Sequence, residues 1–332
     1  MTIDTIGLVV HAGKSRAVEA ADVVRSWAAA RGIRTANIDV WADASTPRLS
    51  AADEARRAGH PQLIVTVGGD GTFLRGVRVA AVSGALVLGV DVGRVGFLTE
   101  VGVADLESAL DAVLAGDCVV DERLLLTMCA SRPLDIPEGI AALLRYGRGP
   151  TLPTPRARAR ISDDPEDGVP LDILALNDVV FEKLARDRQA STAVFVNGTH
   201  YASYSADAVI VSTPTGSTAY SFAAGGPVLS PHMSGLVFTP VAPHMSFNRS
   251  LVLGGDDRIA VQVLAGSGQV AVSVDGALRG VLGPGDWISV YAGKPRAKLA
   301  RLGQMDFIAR VRTRLGLADA RAAIADSVDR TP

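Results

Sequence analysis

Short apolar runs alternate with longer helical patterns through the first 120 residues of the chain. Strand-like runs occupy residues 6–10, 35–40, 63–67 and 85–90, and helical patterns occupy 15–30, 51–58, 73–81 and 103–114. Strands that are apolar throughout and separated by helices indicate a parallel sheet covered on both faces. The first part of the chain is therefore predicted to be a Rossmann-like α/β domain, and its ligands are expected at the carboxyl ends of the strands.

The pattern changes after Asp121, where prolines, glycines and charged residues interrupt the alternation. Residues 156–160 read RARAR, and 162–168 read SDDPEDG. RARAR favours a strand with one solvated face over a nucleic-acid-binding stripe, because no aromatic residues interleave with the arginines. Further on, glycine turns separate the short segments ILALNDVVF, TAVFVNG, AVIVSTP, IAVQVLAG, VAVSVDG and WISVYAG. These segments predict an antiparallel, β-rich second domain.

A length of 332 residues favours two domains, because a single hydrophobic core stops growing below that size. We expect an α/β nucleotide-binding domain over residues 1–122 and a β-rich domain over 123–295. A C-terminal helical segment over 296–332 is expected to pack back on the first domain. Asp306 is predicted to cap the helix of that segment, and Gly316 is predicted to end it.

The composition excludes several classes of protein. A net charge of −2 argues against a general polyanion binder, so no nucleic-acid partner is expected. Cys118 and Cys129 are too few for a disulfide framework or a four-thiolate zinc site, and no metal-ligating set of side chains is predicted. The most apolar run, 79–90, is about twelve residues and too short to span a bilayer as a helix. With no signal peptide evident, we expect a soluble, cytoplasmic protein.

Residues 63–72 read LIVTVGGDGT, a buried strand followed by three glycines and one carboxylate. If this strand is central in the sheet, the glycines form the turn at its carboxyl end. Gly68, Gly69 and Gly71 then let the main chain approach a ligand closely, and the free amides at the start of the next helix favour an anion such as phosphate. The glycines therefore predict a phosphate-binding loop.

The carboxylate in this loop is Asp70, and it needs a separate explanation because a negative charge beside phosphates is costly. An acceptor hydroxyl or a metal–phosphate complex would give it a role. As a general base, Asp70 would accept the proton of a ribose or other alcohol that attacks a terminal phosphoryl group. The alternative is that Asp70 only caps the next helix by accepting from the amide of Thr72 or Phe73. The loop by itself leaves both interpretations open.

A second polar loop, STPTGSTAY at residues 212–220, follows the apolar segment AVIV. Its hydroxyls and amides can bind phosphate or ribose oxygens, although an ordinary Ser/Thr turn before a helix is the alternative. Asn177 and Asp178 interrupt a buried pattern, and Asp207 directly precedes AVIV. Buried polar groups need partners, which ribose hydroxyls or backbone turns would supply. SVDG at 273–276 is expected to form a hairpin turn.

Several segments together resemble the bacterial NAD kinases. They are GGDGTFLR at 68–75, GVDVGRVGFLTE at 89–100, ALNDVV at 175–180, VSTPTGSTAYSFAAGGP at 211–227, PVAPHMSFNRSLVL at 240–253 and SVDG at 273–276. The similarity runs in order over nearly the whole chain. GGDGT alone also occurs in phosphofructokinases and diacylglycerol-type lipid kinases, whereas the long Thr-Gly-Ser-Thr-Ala-Tyr segment and the Asn-acid pair are more specific.

The resemblance implies an NAD kinase-like fold and phosphorylation of the 2′-hydroxyl of the adenosine ribose of NAD, giving NADP. It also implies that Asp70 is the proton acceptor. The nucleotide-binding residues that it implies are Gly68, Gly69, Gly71, Thr72, Arg75, Asn177, Asp178, Arg188, Asp207, Thr215, Thr218, Ala219 and Tyr220. Members of the family use ATP with Mg²⁺ or another divalent ion, and some accept polyphosphate. They assemble as homodimers or homotetramers, so a neighbouring subunit can complete the site.

Some positions depart from the family pattern. Asp91 stands where Asn is usual, Asp178 where Glu is usual, and Ala206 and Ala208 flank Asp207 where glycines are common. The extra charge of Asp91 near phosphates is expected to weaken nucleotide binding. An alanine at positive φ would cost on the order of 1 kcal/mol, so a different loop path is expected there. Two alternatives therefore stand beside an NAD kinase: a kinase of the same fold acting on another alcohol, and a non-catalytic dinucleotide sensor.

Overall fold

The computed structural model describes residues 2–39, 50–93, 96–137, 140, 168–184, 189–245, 248–303 and 306–317. Two predictions fall elsewhere in the chain. The RARAR segment at 156–160 and the candidate nucleotide-binding residue Arg188 lie outside the described residues.

The first part of the chain is an α/β domain with a parallel sheet. Its strands are β1 (Thr5–Val10), β2 (Arg34–Asn37), β3 (Leu63–Gly68), β4 (Leu86–Asp91) and β5 (Val101–Gly102). Its helices are α1 (Ser15–Ala29), α2 (Ala51–Arg57), α3 (Asp70–Ser83) and α4 (Leu106–Ala115). Strand β1 pairs in parallel with β2 and β3, and β3 pairs in parallel with β4. One apolar core packs the sheet against α1 and α4, and another packs it against α2 and α3, which confirms a parallel sheet covered on both faces.

The second part of the chain is mostly β-structure. Its strands are β6 (Val119–Ala130), β7 (Val169–Ala175), β8 (Asp178–Lys183), β9 (Ala190–Val196), β10 (Thr199–Ala206), β11 (Ala208–Ser212), β12 (Gly235–Val241), β13 (Leu251–Gly254), β14 (Arg258–Val263), β15 (Val270–Val274), β16 (Ala277–Leu282) and β17 (Trp287–Arg301). A 3₁₀ turn at Thr215–Thr218, the short helix α5 (Tyr220–Ala223) and the C-terminal helix α6 (Phe307–Arg314) complete it. Strands β13, β12, β11, β8, β15 and β16 form an antiparallel sheet in that order. The predicted β-rich second domain is confirmed.

Strand β17 joins the two parts of the molecule. Near its start it pairs antiparallel with β14, along most of its length it pairs antiparallel with β6, and near its end it pairs in parallel with β4. One eleven-stranded sheet therefore runs through both parts. The expected boundary between residues 122 and 123 falls inside β6, and 296–301 are strand rather than helix. The helical part of the C-terminal segment begins at Phe307, after a side-chain cap from Asp306 to the Ala309 amide at 2.8 Å, as predicted.

Helix α3 begins earlier than the sequence predicts. Its first residue is Asp70, and the amides of Thr72 and Phe73 donate to the Gly69 carbonyl at 2.9 and 3.0 Å. These two amides are therefore bound by the main chain, and neither receives the side-chain cap that the sequence left open as an alternative. The Asp70 carboxylate does not cap its own helix, and it is free to point elsewhere.

Candidate active site

Two glycine-containing loops lie side by side at the carboxyl ends of β3 and β4. Gly68 and Asp91 are opposed residues of the two parallel strands, and the Val92 amide donates to the Gly68 carbonyl at 3.2 Å. Parallel strands end at the same edge of a sheet, so the loop with Asp70 meets the loop that follows Asp91. This edge is where an open α/β sheet binds its ligands.

The Asp70 carboxylate is bound by three consecutive main-chain amides of the second loop. The Phe97 amide donates to Oδ2 at 2.9 Å, and the Leu98 and Thr99 amides donate to Oδ1 at 3.1 and 3.3 Å. Hydrogen bonds to an ionised oxygen are among the stronger ones in proteins. The half-buried side chain is thus fixed in one orientation at the first turn of α3.

Gly96 makes this arrangement sterically possible. A Cβ atom at position 96 would lie 2.1 Å from Asp70 Oδ1 and 2.4 Å from both Cγ and Oδ2. The carboxylate therefore occupies the space that any other side chain at position 96 would need. The glycine in the segment VGFLT is explained by this close approach.

Asp91 holds the same loop from its other end. Its Oδ1 accepts from the Gly93 amide at 2.5 Å, and its Oδ2 accepts from the Thr99 hydroxyl at 3.1 Å. The Thr99 hydroxyl in turn accepts from the Gly96 amide at 2.8 Å. Because the carboxylate is buried and bound within its own loop, its negative charge serves the fold of that loop.

The glycines of GGDGT differ in their surroundings. A Cβ at Gly68 would lie 2.2 Å from the Thr72 hydroxyl oxygen, so Thr72 is buried against the end of β3. At Gly69 and Gly71, in contrast, a Cβ would meet no described atom within 4 Å. The main chain at these two glycines is therefore open to the approach of a ligand.

The polar segments of the second domain pack directly on one another. The Thr213 amide and hydroxyl donate to the carbonyls of Asn177 and Leu176, at 2.9 and 2.5 Å. A Cβ at Gly216 would lie 2.1 Å from the Asn177 carbonyl oxygen, so only glycine allows the 3₁₀ turn to come this close. The segments ALNDVV and STPTGSTAY thus form one unit rather than two separate turns.

Asp275 ties a third segment into this unit. Its Oδ2 accepts from the Leu176 amide at 2.9 Å, and its Oδ1 accepts from the Asn177 and Asp178 amides at 2.8 and 3.2 Å. Asp275 and Gly276 both have positive φ, at 48° and 72°, as expected for a hairpin turn between β15 and β16. The predicted turn is confirmed, and its carboxylate has the additional task of binding the amides around Asn177.

The carboxyl group of Asp178 is held in an unfavourable environment for a charge. Burial raises its pKa to about 7, and the negative charge of Asp275 adds to that effect. Burial also raises the pKa of Asp275, to about 6, although the three amides that it binds oppose the increase. Near neutral pH Asp178 is therefore present in both protonated and ionised forms, so that it can either donate or accept a hydrogen bond.

Tyr220, at the start of α5, lies among acidic side chains. Burial raises the pKa of its hydroxyl, and the charges of Glu182, Asp207 and Asp178 raise it further. Asp207 itself is paired with Lys183 at 2.5 Å. The flanking Ala206 and Ala208 have negative φ and end and begin β10 and β11, so neither alanine is strained.

A buried ionic cluster lies between the two parts of the molecule. Arg123 donates to both carboxylate oxygens of Asp121, at 2.7 and 2.5 Å, and from Nη1 to the Thr215 hydroxyl at 3.3 Å. Arg301 donates from Nε to Asp121 Oδ2 at 3.2 Å. Burial alone would raise the pKa of Asp121, but the two guanidinium groups hold it below its usual value.

This cluster connects the two polar loops. Besides its contact with Asp121, Arg301 donates from Nη1 to the Leu98 carbonyl at 2.9 Å. The Leu98 amide is one of the donors to Asp70. A continuous chain of hydrogen bonds and peptide groups therefore runs from Asp70 to Thr215, and the relative positions of the two loops are fixed by buried charges.

The structure brings most of the sequence-predicted residues into two adjoining groups. Around α3 lie Gly68, Gly69, Asp70, Gly71 and Thr72, with Arg75 half-buried one turn further along the helix. Around the start of α5 lie Asn177, Asp178, Asp207, Thr215, Thr218, Ala219 and Tyr220. Asn177 and Asp178 are both bound by Asp275, and the segment that carries Thr215 packs on Asn177 through Thr213 and Gly216. Asp207 lies between β10 and β11, and its charge acts on Tyr220.

Sequence reasoning did not assign roles to Gly96, Thr99, Arg123, Arg301 or Arg310. Gly96 and Thr99 fall in GVDVGRVGFLTE, which carried the family resemblance but no proposed contact. Arg123 has a partner close in sequence, Asp121. Arg301 and Arg310 gave no local signal, because their carboxylate and carbonyl partners lie up to 213 residues away in sequence.

The described residues contain no group of three His, Cys, Asp or Glu side chains that could hold a metal ion. The oxygens of Asp70 and Asp91 are also engaged by loop donors, so they are not arranged as a protein-only cation site. Within the described part of the chain, no helix is both long and apolar enough to cross a membrane.

Two protein-family models match the chain. Residues 6–118 match the ATP-NAD kinase N-terminal domain, and 176–302 match the ATP-NAD kinase C-terminal domain. Among curated proteins, the chain is 59% identical over 326 residues to NAD kinase 1 of Streptomyces avermitilis, covering 98% of this chain and 91% of that protein. It is 57% identical over 326 residues to NAD kinase 1 of Streptomyces coelicolor, covering 98% and 89%.

Two solved structures share the fold. The crystal structure of yeast NADH kinase complexed with NADH has a TM-score of 0.74 at 21% sequence identity, and the match covers 96% of this chain and 89% of that one. The crystal structure of an NAD kinase from Archaeoglobus fulgidus in complex with ATP has a TM-score of 0.63 at 18% identity, covering 93% and 98%.

Proposed function

The chain belongs to the NAD kinase family, and we infer from this that it is a kinase that phosphorylates NAD to NADP. The acceptor is the 2′-hydroxyl of the adenosine ribose, and ATP is the phosphoryl donor. The observation that carries this conclusion is the identity of 57–59% to proteins named NAD kinase over 98% of the chain. That similarity favours NAD over another alcohol acceptor, and a kinase over a non-catalytic sensor.

Asp70 is proposed as the general base of the reaction. A carboxylate offers about four lone-pair positions, and three loop amides use two positions on Oδ1 and one on Oδ2. Among the described residues, the position left without a donor is therefore on Oδ2. In the proposed step, Oδ2 accepts the proton of the ribose 2′-hydroxyl, whose oxygen bonds to the γ-phosphorus of ATP. The bond from that phosphorus to the β,γ-bridging oxygen breaks, and ADP leaves.

The glycine loop is proposed to hold phosphates beside this base. Support comes from the open space over Gly69 and Gly71 and from their place at the start of α3. Main-chain amides at a helix start bind anions without any further charged group. Arg75, one turn along the same helix, is proposed to contact the bound dinucleotide.

The group around α5 is proposed to bind the nucleoside part of NAD. Asn177 and Asp178 would contact the ribose and adenine, while Asp207, Thr215, Thr218, Ala219 and Tyr220 would surround the acceptor. The Asp178 carboxylate supports this assignment, because it accepts no hydrogen bond from the residues that the structure describes and its oxygens remain available. Its pKa of about 7 suits a group that meets both donors and acceptors on a base or a sugar. Arg188 is proposed as a further contact on family resemblance alone.

A divalent ion such as Mg²⁺ is proposed to reach the site with ATP, neutralising the phosphates that it binds. The family resemblance also supports polyphosphate as a possible second donor. Assembly as a homodimer or homotetramer stays a prediction of the same resemblance, and a cytoplasmic location stays a prediction from the composition and the N-terminal sequence. Light scattering of the purified protein measures the first of these.

The test of the function is NADP formation by the purified protein. NAD is supplied with ATP and magnesium, and NADP is measured with an NADP-specific dehydrogenase. Parallel reactions replace ATP by polyphosphate, and NAD by NADH or by a panel of nucleosides, sugars and lipid alcohols. We expect turnover with NAD and ATP. NAD binding without consumption of any donor would instead identify a sensor, and turnover only with another alcohol would identify a different kinase.

A further inference from the structure

The segment Phe97–Leu98–Thr99 lies between the Asp70 carboxylate and two arginines. Its amides all donate to Asp70, while its carbonyl oxygens all accept from guanidinium groups. Arg310 of α6 donates from Nη1 to the Phe97 and Thr99 carbonyls at 3.1 and 3.2 Å. Arg301 donates from Nη1 to the Leu98 carbonyl at 2.9 Å.

Two peptide groups therefore each link an arginine to Asp70. The peptide group between Phe97 and Leu98 accepts from Arg310 at its C=O and donates its N–H to Asp70. The next peptide group, between Leu98 and Thr99, accepts from Arg301 at its C=O and donates its N–H to Asp70. Each peptide plane is rigid, so fixing the carbonyl also fixes the direction of the N–H.

We propose that Arg310, on the C-terminal helix, is a positioning residue for Asp70. It acts through the Phe97–Leu98 peptide group, whose carbonyl it holds and whose amide orients the carboxylate. The proposal rests on the proposed function in so far as Asp70 is the general base. The positioning itself is a structural statement that can be tested without turnover.

Electrostatics strengthens this arrangement. A guanidinium on a carbonyl oxygen polarises the peptide group, which makes its N–H a better donor to the carboxylate on the other side. Glu100 fixes both arginines, since its Oε2 accepts from Arg310 Nη2 at 2.7 Å and from Arg301 Nη1 at 3.0 Å. The two arginines on one side of the segment and the Asp70 carboxylate on the other therefore hold the loop between them.

Arg310 is the better of the two arginines for a test. Arg301 is buried and also binds Asp121, so its loss would affect the whole fold. Arg310 is partly exposed on an eight-residue helix whose buried residue is Val311. Arg314 on the same helix is exposed and makes no hydrogen bond or ion pair with the described residues, so Arg314→Gln is a matched control for the lost charge.

The first experiment measures amide hydrogen exchange at Leu98 in the full-length protein. Loss of a charge-assisted hydrogen bond is expected to speed exchange roughly tenfold in Arg310→Gln, and Arg314→Gln is expected to exchange like the parent. In an Asp70→Ala background, Arg310→Gln should add little, because the acceptor is already gone. Unchanged exchange at Leu98 in Arg310→Gln would overturn the proposal.

The second experiment separates kcat from KM. A displaced base slows the chemical step, so kcat of Arg310→Gln is expected to fall roughly 10- to 100-fold, with the KM values for NAD and ATP nearly unchanged. Arg310→Lys, which keeps one donor, should recover part of the loss. An unchanged kcat in Arg310→Gln would count against positioning. So would a lower kcat that is accompanied by a lower Tm but not by faster amide exchange at Leu98. If the parent makes no NADP, the proposed function fails, while hydrogen exchange still decides the positioning.

Discussion

Arg301 Nε lies 3.2 Å from Asp121 Oδ2, and the two side chains are only 2% and 4% exposed. This ion pair joins β17 to β6 at the point where the two parts of the molecule meet. Arg301 also binds the Leu98 carbonyl in the loop that binds Asp70. Asp121 also binds Arg123, which donates to the Thr215 hydroxyl. The two candidate binding loops are therefore built on one buried set of charges.

Replacing Asp70 by Asn is expected to abolish most of the NADP-forming activity. An amide cannot accept the ribose proton, and a general base contributes roughly 10²- to 10⁴-fold to a rate. Affinity for NAD should change much less than kcat, because the substitution keeps the size of the side chain and one oxygen that can accept from the Leu98 and Thr99 amides. The measurements are kcat and NAD binding by calorimetry, with Asp22→Asn on the surface of α1 as the control. An Asn variant that turned over like the parent would exclude Asp70 as the base.

Replacing Gly96 by Ala is expected to displace the Asp70 carboxylate, since the added Cβ would lie 2.1 Å from Oδ1. A displacement of about 1 Å at a reacting group can cost 10²-fold in rate, so kcat should fall by about that factor. Gly93→Ala in the same loop is the matched control, because its Cβ would meet Asp91 Oδ1 at an ordinary 3.7 Å. Equal activity of the two variants would contradict the steric explanation.

Replacing Asp121 by Ala is expected to destabilise the protein by about 3–5 kcal/mol, because it removes the carboxylate that the buried Arg123 and Arg301 share and leaves Arg301 with Glu100 alone as its acidic partner. Urea denaturation at pH 7 measures the change, with the exposed Asp22→Ala as a control expected to lie near the parent. The pKa of Asp121 is lowered in the folded protein, so its contribution is present above the unfolded value near 3.9 and is lost as pH falls through the folded value. The variant should therefore lose less stability than the parent on acidification below about pH 4. A variant as stable as the parent at pH 7 would show that the pair is dispensable.

The buried carboxyl group of Asp178 is expected to make the ligand-free protein less stable as pH rises. Its folded pKa of about 7 exceeds the unfolded value near 3.9, so the folded state binds more protons between these values and the free energy of unfolding decreases across that window. Asp178→Asn removes the buried charge and should stabilise the protein at pH 8 by about 1–3 kcal/mol. It should also flatten the decrease between pH 4 and 7.

Thermal unfolding from pH 4 to 8 measures this effect. Asp172→Asn, which changes an exposed carboxylate on β7, is the charge-matched control. Because Asp178 and Asp275 interact, the transition belongs to the pair, and Asp275 continues to titrate in the variant. A variant whose stability follows that of the parent at every pH would rule out Asp178 as the origin of the dependence.

Much of the fold could be predicted because its signals are local. Mostly apolar runs such as 63–67 identified the parallel strands, and the cap and stop at Asp306 and Gly316 identified helix α6. The same patterns could not show that β17 would extend through both parts of the molecule. Its pairing with β4 joins residues 86 and 298, and the choice of a distant strand partner leaves no mark in either segment.

The amino-acid sequence by itself determined the alternating architecture, the family and the place of one carboxylate in a glycine loop, since each depends on residue types and spacings along the chain. Only the tertiary structure decided what that carboxylate binds. Its donors are main-chain amides that every residue but proline carries, and they lie 27 to 29 residues away from Asp70. Arg301 and Arg310, which bind the carbonyl groups of the same segment, lie still further along the chain. Only the folded chain brings these arginines, the amides and Asp70 together.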